Sequence, residues 1–337
     1  MLDFLEVFEA IKNAALPSGI EGRQADVIKR YAEPFADEIY EDRLGNLFCH
    51  KKGPGKKFML PAHMDVIGFM ATYIDEHGFI RFATVGGHAA YALPETRVRF
   101  ENGIYGYIKS DDRIKADKLS DVPMTDLFID IGAGSREEAA KYISPGTCAV
   151  FDSDLKRIAD GNIMTPYADN LAGCASLLLA MSTLESSPND LYFVFSVQEE
   201  LGLRGAKCAA NGLGAYMGVA IDLTRTGDSP AETDNLRMAV RVGGGPAIKI
   251  RDSSLICDRP VVEHLRKAAE GAGVTYQDEI LVAGGTDSAA MQRARCGVLS
   301  GCVSIPGRNI HSPSEIINVN DAIGAAKILA AAAGTEI

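Results

Sequence analysis

The chain reads Leu191-Tyr192-Phe193-Val194-Phe195-Ser196-Val197-Gln198-Glu199-Glu200 near its middle, an apolar run that ends in two adjacent carboxylates. Residues 191–197 are typical of a strand that is buried on both faces, because strands of a covered parallel sheet have no solvent side. Helical patterns lie on either side of this run, at residues 169–184 and 203–210. A helix–strand–helix order of this kind predicts a sheet that is covered by helices.

Helical and strand patterns alternate along much of the remaining chain, most regularly after residue 163. This alternation predicts an α/β fold, specifically a three-layer sandwich in which helices cover both faces of a central mixed, largely parallel sheet. The other predicted helices are residues 2–14, 21–36, 261–269, 289–295 and 321–333, and the other predicted strands are residues 57–62, 216–223 and 298–305.

Residues 66–163 show a different pattern, in which short strand-like segments are separated by Gly and Asp turns. These segments predict a small, mainly β domain with one short helix at residues 136–142. We therefore predict an inserted β-rich domain of residues 66–163 within one catalytic α/β domain, which is built from residues 1–65 and 164–337. The predicted strands of the insert are residues 67–73, 79–83, 97–100, 104–108 and 127–131.

The composition excludes several classes of protein. Hydrophobic residues make up 47% and charged residues 23% of the chain, which is typical of a folded globular protein and not of a disordered one. The chain has 34 basic and 45 acidic residues and a net charge of −11, so nucleic acid and anionic membrane surfaces are poor partners. No apolar run approaches the ~18 residues of a membrane-spanning helix.

The seven cysteines and the N-terminal residues predict a cytoplasmic location. The cysteines are scattered and contain no Cys-x-x-Cys pair, so neither a disulfide framework nor a thiolate zinc site is expected. Residues 1–6 lack a basic stretch followed by an apolar one, so we expect no signal peptide. A reducing compartment with mostly buried free thiols follows from these observations.

One histidine stands at the end of a predicted buried strand. His63 follows strand 57–62, and Asp65 lies two positions later, where its carboxylate could accept a hydrogen bond from the far ring nitrogen of His63. That is the arrangement in which a carboxylate orients a metal-binding imidazole. By itself, however, a His-x-Asp sequence is more often an ordinary polar strand end.

Further carboxylates and a second histidine fall at equivalent places. Glu199 and Glu200 follow the strand described above, Asp222 lies near the end of strand 216–223, and His311 follows strand 298–305, whereas Asp169 begins a predicted helix. The carboxyl ends of strands in open α/β sheets meet at one edge, where sites are built. Asp169 can also be interpreted as a helix cap, and Glu199-Glu200 as a solvated strand end. Together, two histidines and three carboxylates suit two divalent metals bridged by a shared carboxylate.

This ordered set of residues resembles that of the glutamyl aminopeptidase and tetrahedral (TET) aminopeptidase family, dinuclear metallopeptidases of which some members carry the label endoglucanase. The set comprises His63-x-Asp65, Asp169-Asn170, Glu199-Glu200, Asp222 and His311. Gly284-Gly285-Thr286-Asp287 and the segment 306–315 are similar as well. The resemblance spans essentially the whole chain, including the insert.

The resemblance implies a role for each of these residues. One metal is expected on His63, Asp169 and Asp222, and the other on Asp169, Glu200 and His311, with Asp169 as the bridge. Glu199 is expected to be the general base, Asp65 to orient His63, and Gly284, Gly285, Thr286 and Asp287 to line the substrate pocket. The last four residues could equally form a glycine turn that precedes a helix.

The implied function is hydrolysis of the N-terminal residue of short peptides, by water that two divalent metals activate and Glu199 deprotonates. A dinuclear metallo-carboxypeptidase or deacylase is the main alternative, because such enzymes share this ligand pattern. A glycoside hydrolase and a non-catalytic metal-binding scaffold are weaker alternatives. Sugar-binding sites usually contain aromatic platforms, and the chain has no tryptophan.

The expected cofactors are two divalent ions per subunit, zinc or cobalt first and manganese as a further possibility. By resemblance, the insert is expected to contribute to a homo-oligomer such as a dodecameric cage. The chain departs from the family at Leu93-Pro94-Glu95-Thr96-Arg97-Val98, where the family commonly has Leu-x-Gly-Gln-Arg-Val. This departure bears on assembly and on substrate preference. The other histidines, at positions 50, 77, 88 and 264, are expected to be structural or exposed, although His88 could approach a site.

Overall fold

The computed structural model describes residues 2–110, 122–229 and 238–337. Within these ranges the α-helices are α1 (Phe4–Asn13), α2 (Gly22–Ala32), α3 (Arg136–Ala139), α4 (Ala168–Ser182), α5 (Arg204–Leu213), α6 (Arg259–Gly271), α7 (Asp287–Gln292) and α8 (Val319–Ala333). The strands of the larger sheet are β1 (Glu38–Glu41), β2 (Leu47–Lys51), β3 (Lys57–His63), β10 (Lys156–Arg157), β11 (Asn162–Thr165), β12 (Asp190–Ser196), β13 (Met217–Arg225), β14 (Ala247–Arg251), β15 (Gln277–Ile280), β16 (Leu299–Arg308) and β17 (Glu315–Asn318). The strands of the smaller sheet are β4 (Gly68–Ile74), β5 (Ile80–Val85), β6 (Arg97–Phe100), β7 (Tyr105–Ser110), β8 (Leu127–Asp130) and β9 (Cys148–Phe151).

The larger sheet has a parallel centre and antiparallel flanks. Its order is β1-β2-β12-β3-β13-β16-β17-β11-β10, and β14 joins β16 and carries β15. The central strands β12, β3, β13 and β16 are parallel to one another, whereas β2 pairs antiparallel with β12 and β17 pairs antiparallel with β16. Ser196 lies opposite His63, and Asp222 lies opposite Ser304. The carboxyl ends of all four central strands therefore meet at one edge.

Helices cover both faces of this sheet. Alternate side chains of the central strands pack into the hydrophobic cores on opposite faces. In β3, Phe58, Leu60 and Ala62 belong to the hydrophobic core that includes α1, α4 and α8, whereas Met59 belongs to the core of α5 and α7. Both sets of side chains are almost fully buried. Because residues of a strand alternate in direction, a strand buried on both faces must be apolar throughout. The three-layer α/β sandwich predicted from the sequence is confirmed.

The smaller sheet closes on itself as a barrel, in the order β4-β5-β8-β7-β6-β9. Its strands lie between residues 68 and 151 and pair antiparallel. The chain then returns to the larger sheet at β10, before the boundary at residue 163 that the sequence predicts, and β11 spans that boundary. The division into domains 1–65 with 164–337 and 66–163 stays a prediction.

The sequence patterns missed several short strands. The strand β1 has the sequence EIYE and is mostly exposed, so it carries no apolar pattern. The strands β2, β9, β14, β15 and β17 have four or five residues each, and the patterns around them are interrupted by glycines and charged residues. None of the helices in the described ranges is long and apolar enough to cross a bilayer.

Candidate active site

Five side chains from separate elements converge at the carboxyl edge of the larger sheet. His63 ends β3, Asp169 lies in the first turn of α4, and Asp222 lies within β13. Glu200 follows β12 and His311 follows β16. Ligand atoms of His63, Asp169 and Asp222 lie within 4.8 Å of one another, as do those of Asp169, Glu200 and His311. The structure therefore brings together the five residues that the sequence predicts as metal ligands.

Asp169 is common to both groups. His63 Nε2 lies 3.3 Å from Asp169 Oδ1 and 3.5 Å from Asp222 Oδ1. His311 Nε2 lies 3.6 Å from Asp169 Oδ2 and 3.1 Å from Glu200 Oε1. The two carboxylate oxygens of Asp169 thus face different imidazoles, which is the geometry expected of a bridging carboxylate.

Glu199 lies beside the same centre. Its Oε2 atom is 3.9 Å from His63 Nε2. Ligand atoms of His63, Glu199 and Glu200 also lie within 4.8 Å of one another. The two adjacent glutamates differ in their nearest imidazole, because Glu200 faces His311 and Glu199 faces His63.

Burial and like charges shift the pKa values of the groups in this centre. Burial and the neighbouring carboxylates raise the pKa of Glu199 well above its usual value, and burial also raises the pKa values of Glu200 and Asp222. Burial alone would lower the pKa of His311, but Asp169 and Glu200 raise it to about 11. Four carboxylates thus share one buried site with two imidazoles.

This site fits divalent cations. Asp169 Oδ1 is buried and has no hydrogen-bond partner among the described residues, which is costly for a carboxylate oxygen unless a cation satisfies it. Imidazole nitrogens and carboxylate oxygens are donors that zinc, cobalt and manganese accept.

Asp65 holds the loop that carries both glutamates. Its Oδ1 and Oδ2 atoms accept hydrogen bonds from the main-chain nitrogens of Glu199 and Glu200, at 3.0 and 3.2 Å, and Oδ2 also accepts one from Ser18 Oγ at 2.6 Å. The contact with His63 differs from the prediction. His63 Nδ1 lies 3.1 Å from the main-chain oxygen of Asp65 and 3.6 Å from its carboxylate, which is too long for a hydrogen bond. Asp65 therefore contacts His63 through its main-chain oxygen, and the role of its carboxylate in orienting His63 stays a prediction.

Glu315 connects two of the candidate ligands through their main chains. Its Oε2 atom accepts a hydrogen bond from the Asp169 nitrogen at 2.9 Å, and Oε1 accepts one from the His311 nitrogen at 2.8 Å. The side chain is buried, and burial together with the charge of Asp169 raises the pKa of Glu315 to about 8. A single carboxylate therefore fixes the distance between α4 and the loop after β16.

The main chain is strained next to several of these residues. Tyr167, Gln198 and His311 have positive φ angles of 64°, 54° and 67°. Such angles are uncommon for residues other than glycine and are concentrated at functional sites. Tyr167 lies two residues before Asp169, and Gln198 immediately precedes Glu199, so the strain lies where the main chain presents its carboxylates.

A cavity of about 450 Å³ opens over the centre. Beyond the candidate ligands and Glu199, its walls include Thr224, Ser253, Ser254, Gly284 and Gly285. Two of the four predicted substrate-binding residues, Gly284 and Gly285, therefore line the cavity.

The other two residues, Thr286 and Asp287, are buried, and neither is among the described residues that line this cavity. Asp287 Oδ2 accepts a hydrogen bond from Ser196 Oγ at 2.5 Å, and burial raises the pKa of Asp287 to about 7. The substrate-binding role of the four-residue segment stays a prediction.

A fully buried ion cluster supports the wall of this cavity. Lys249 Nζ pairs with Glu279 and lies 3.7 Å from Asp252 Oδ2, and all three side chains are excluded from solvent. Glu279 also accepts a hydrogen bond from Thr224 at 2.8 Å, and Asp252 accepts two from Ser254, both at 2.8 Å. The cluster thus connects β13, β14 and β15 to the two cavity-lining residues Thr224 and Ser254.

Comparison with known proteins agrees with this geometry. The model of the M42 glutamyl aminopeptidase family matches residues 45–328. The chain belongs to this family.

Known aminopeptidases and solved aminopeptidase structures match over almost the full length. A putative aminopeptidase of Acetivibrio thermocellus is 40% identical over 96% of this chain and 97% of its own, and the lysyl aminopeptidase of Pyrococcus furiosus is 30% identical over 93% of each. The structure of an aminopeptidase from the archaeon Desulfurococcus kamchatkensis has a TM-score of 0.93 at 33% identity, covering 98% of this chain and 94% of that one. The TET1 peptidase of Pyrococcus horikoshii, which can assemble into a tetrahedron or a large octahedral shell, has a TM-score of 0.88 at 30% identity, covering 98% and 99%.

Membership of the M42 family confirms two sequence predictions. The suspected glutamyl and TET aminopeptidase family is correct, and the chain is an aminopeptidase, a peptide hydrolase. The family also implies divalent metals, with which the His and carboxylate clusters of this chain are compatible.

Sequence reasoning missed the residues that hold this M42 site together. Glu315 lies in the segment 306–315 that resembles the family, but nothing in the pattern showed that its carboxylate binds two main-chain nitrogens. Ser18 and the Lys249 cluster gave no signal, because their partners are distant in sequence.

His50 is structural, as predicted, and lies 2.7 Å from Asp190. His88 lines a neighbouring cavity.

Proposed function

We propose that this M42 aminopeptidase uses two divalent cations, and that Glu199 is its general base. The convergence of five ligand side chains on the shared carboxylate of Asp169 carries this proposal. His63, Asp169 and Asp222 would hold one ion, and Asp169, Glu200 and His311 the other. When bound, such ions polarise a peptide carbonyl and lower the pKa of water toward ~7.

Glu199 is suited to proton transfer. Its carboxylate is buried beside the centre, 3.9 Å from His63 Nε2, and belongs to neither of the two proposed ligand sets, so it remains available to take a proton. We propose that Glu199 accepts the proton of the attacking water and then donates it to the amine of the leaving peptide. Asp65 and Ser18 keep Glu199 in place by holding its main-chain nitrogen through the Asp65 carboxylate.

The two proposed cations support action on free N-termini. A free α-amino group could bind one of them as a nitrogen ligand, and an N-acetylated group could not. Glycoside hydrolysis has no comparable support, since no aromatic residue lines this cavity within the described part of the chain.

Hydrolysis of matched peptides tests this function. The purified protein with added zinc, cobalt or manganese is expected to release the first residue of a free peptide, to leave the N-acetylated peptide intact, and to lose activity with a chelator. Equal cleavage of the two peptides, or activity that survives complete removal of metal, would contradict the proposal. Comparison of the three metals also shows which ion supports turnover.

We further propose that the chain forms a homo-oligomer, such as a dodecameric cage, since the P. horikoshii relative can assemble into a tetrahedron or a large octahedral shell. The barrel of strands β4–β9 is proposed to contribute to the contacts between subunits.

A further inference from the structure

A second cavity, of about 730 Å³, opens beside the candidate metal centre. It shares Arg225, Ile310 and His311 with the first cavity, so the two spaces meet at these residues. The barrel contributes residues of the loop after β5, including His88 and Tyr91, and the larger sheet contributes the loops after β13 and β16. Its volume is within the usual range of ligand sites.

The barrel loop lies directly against a candidate ligand. A Cβ atom added to Gly87 would lie 3.2 Å from His311 Nδ1, tighter than an ordinary contact. Glycine thus allows the loop to approach the imidazole ring, and the second cavity begins at the metal centre itself.

The lining of the second cavity is positively charged in an acidic protein. Its described lining residues include Arg225 and Arg308 and no carboxylate, although the chain as a whole has a net charge of −11. Arg308 is engaged elsewhere, because Asp228 accepts hydrogen bonds from its Nε atom at 3.0 Å and from Nη2. Burial lowers the pKa of His88 to about 4, so that ring is neutral at physiological pH. Because His311 is assigned to a metal ion, the side chain of the junction that presents positive charge to a ligand is the exposed Arg225.

We propose that the second cavity binds the part of the peptide that follows the scissile bond, and that Arg225 binds a carboxylate of that segment. This inference rests on the proposed aminopeptidase function. If the peptide bond lies over the candidate metal ligands and the side chain of the first residue occupies the first cavity, the leaving segment must continue past His311. A guanidinium at that point favours a carboxylate. In a dipeptide the carboxylate is the C-terminus, and in a longer peptide it is an acidic second residue.

Substrates with the same first residue and different leaving groups test this subsite. The metal-loaded enzyme would be assayed with a dipeptide acid, the corresponding dipeptide amide, a dipeptide amide with Asp in second place, and an aminoacyl p-nitroanilide. Wild-type protein is expected to have lower KM values for the two substrates that carry a carboxylate. A lower KM for only one of these two substrates shows whether Arg225 binds the C-terminal carboxylate or the acidic side chain.

Substitution of the arginine provides the second arm. Arg225→Gln is expected to raise KM for the dipeptide acid roughly tenfold or more, the usual effect of losing a charged hydrogen bond, with little change in kcat. Hydrolysis of the p-nitroanilide should be unchanged, and Arg225→Lys should retain most of the preference. Arg259→Gln, exposed at the start of α6, is the matched control.

Two results would overturn the subsite. An equal loss on p-nitroanilide and dipeptide acid would place Arg225 in recognition of the first residue, and unchanged KM values for all substrates would remove it from binding. Failure of wild-type protein to cleave any free-amine substrate would instead refute the proposed function, so the two failures are distinguishable.

Discussion

Replacement of Glu315 by glutamine should weaken metal binding without removing any ligand. The carboxylate accepts one hydrogen bond from the main chain of Asp169 and one from that of His311. A glutamine amide has a single acceptor oxygen, so one of these bonds is lost, and its NH₂ group then faces a main-chain N–H. The positions of α4 and the loop after β16 would no longer be fixed relative to each other.

The magnitude follows from the lost bond. The main-chain N–H that loses its acceptor is left buried and unsatisfied, at a cost of ~1–3 kcal/mol, and each 1.4 kcal/mol is a factor of ten in affinity. Metal affinity should therefore fall by roughly 10–100-fold, which is also the usual effect of removing a group that orients a ligand. Since Asp169 and His311 themselves remain, saturating metal should restore most of kcat.

Titration of chelator-stripped protein with zinc or cobalt measures this effect, by calorimetry and by recovery of activity as a function of metal concentration. Glu9→Gln, an exposed glutamate of α1, is the matched control and should behave as wild type. If Glu315→Gln protein bound metal with wild-type affinity, Glu315 would have no role in positioning the ligands.

Four further outcomes are expected. Glu199→Gln should keep its metals and lose roughly 10²–10⁴-fold in turnover, whereas Glu200→Gln should first lose metal affinity; the reverse pattern would exchange the two roles. Asp169→Asn should deplete both metals and His311→Ala mainly one, so two metals per subunit in purified Asp169→Asn protein would exclude a bridging aspartate. Lys249→Met leaves two buried carboxylates uncompensated, at a cost of about 3–5 kcal/mol. With an unfolding entropy of roughly 2.1 cal/mol/K per residue this lowers Tm by about 4–7 °C, and an unchanged Tm in calorimetry would contradict the importance of the cluster. Light scattering should give a mass well above the 36.0 kDa of one chain, and a monomer at micromolar concentration would refute the proposed assembly.

The sequence by itself determined the layers of the fold and, with the resemblance to a known family, predicted the residues of the candidate metal centre. Strands such as β12 are buried on both faces, so their continuous apolar runs can be recognised from the sequence alone. Four of the five candidate ligands lie near or just beyond the ends of those runs, and Asp169 begins a helix. Strands of a parallel sheet present their carboxyl ends at one edge, so position in sequence predicted that the four lie close together. Short exposed strands such as β1 were missed because no apolar pattern distinguishes them.

Only the tertiary structure decided how these residues are held and what lies around them. Glu315 is 146 residues from Asp169, and Asp65 is 134 residues from Glu199, so hydrogen bonds between them leave no local pattern. The same holds for the burial of Lys249 between two acids and for the position of Arg225 where two cavities meet. Periodicity reports which face of an element is buried, whereas a contact between distant segments depends on the packing of the whole chain.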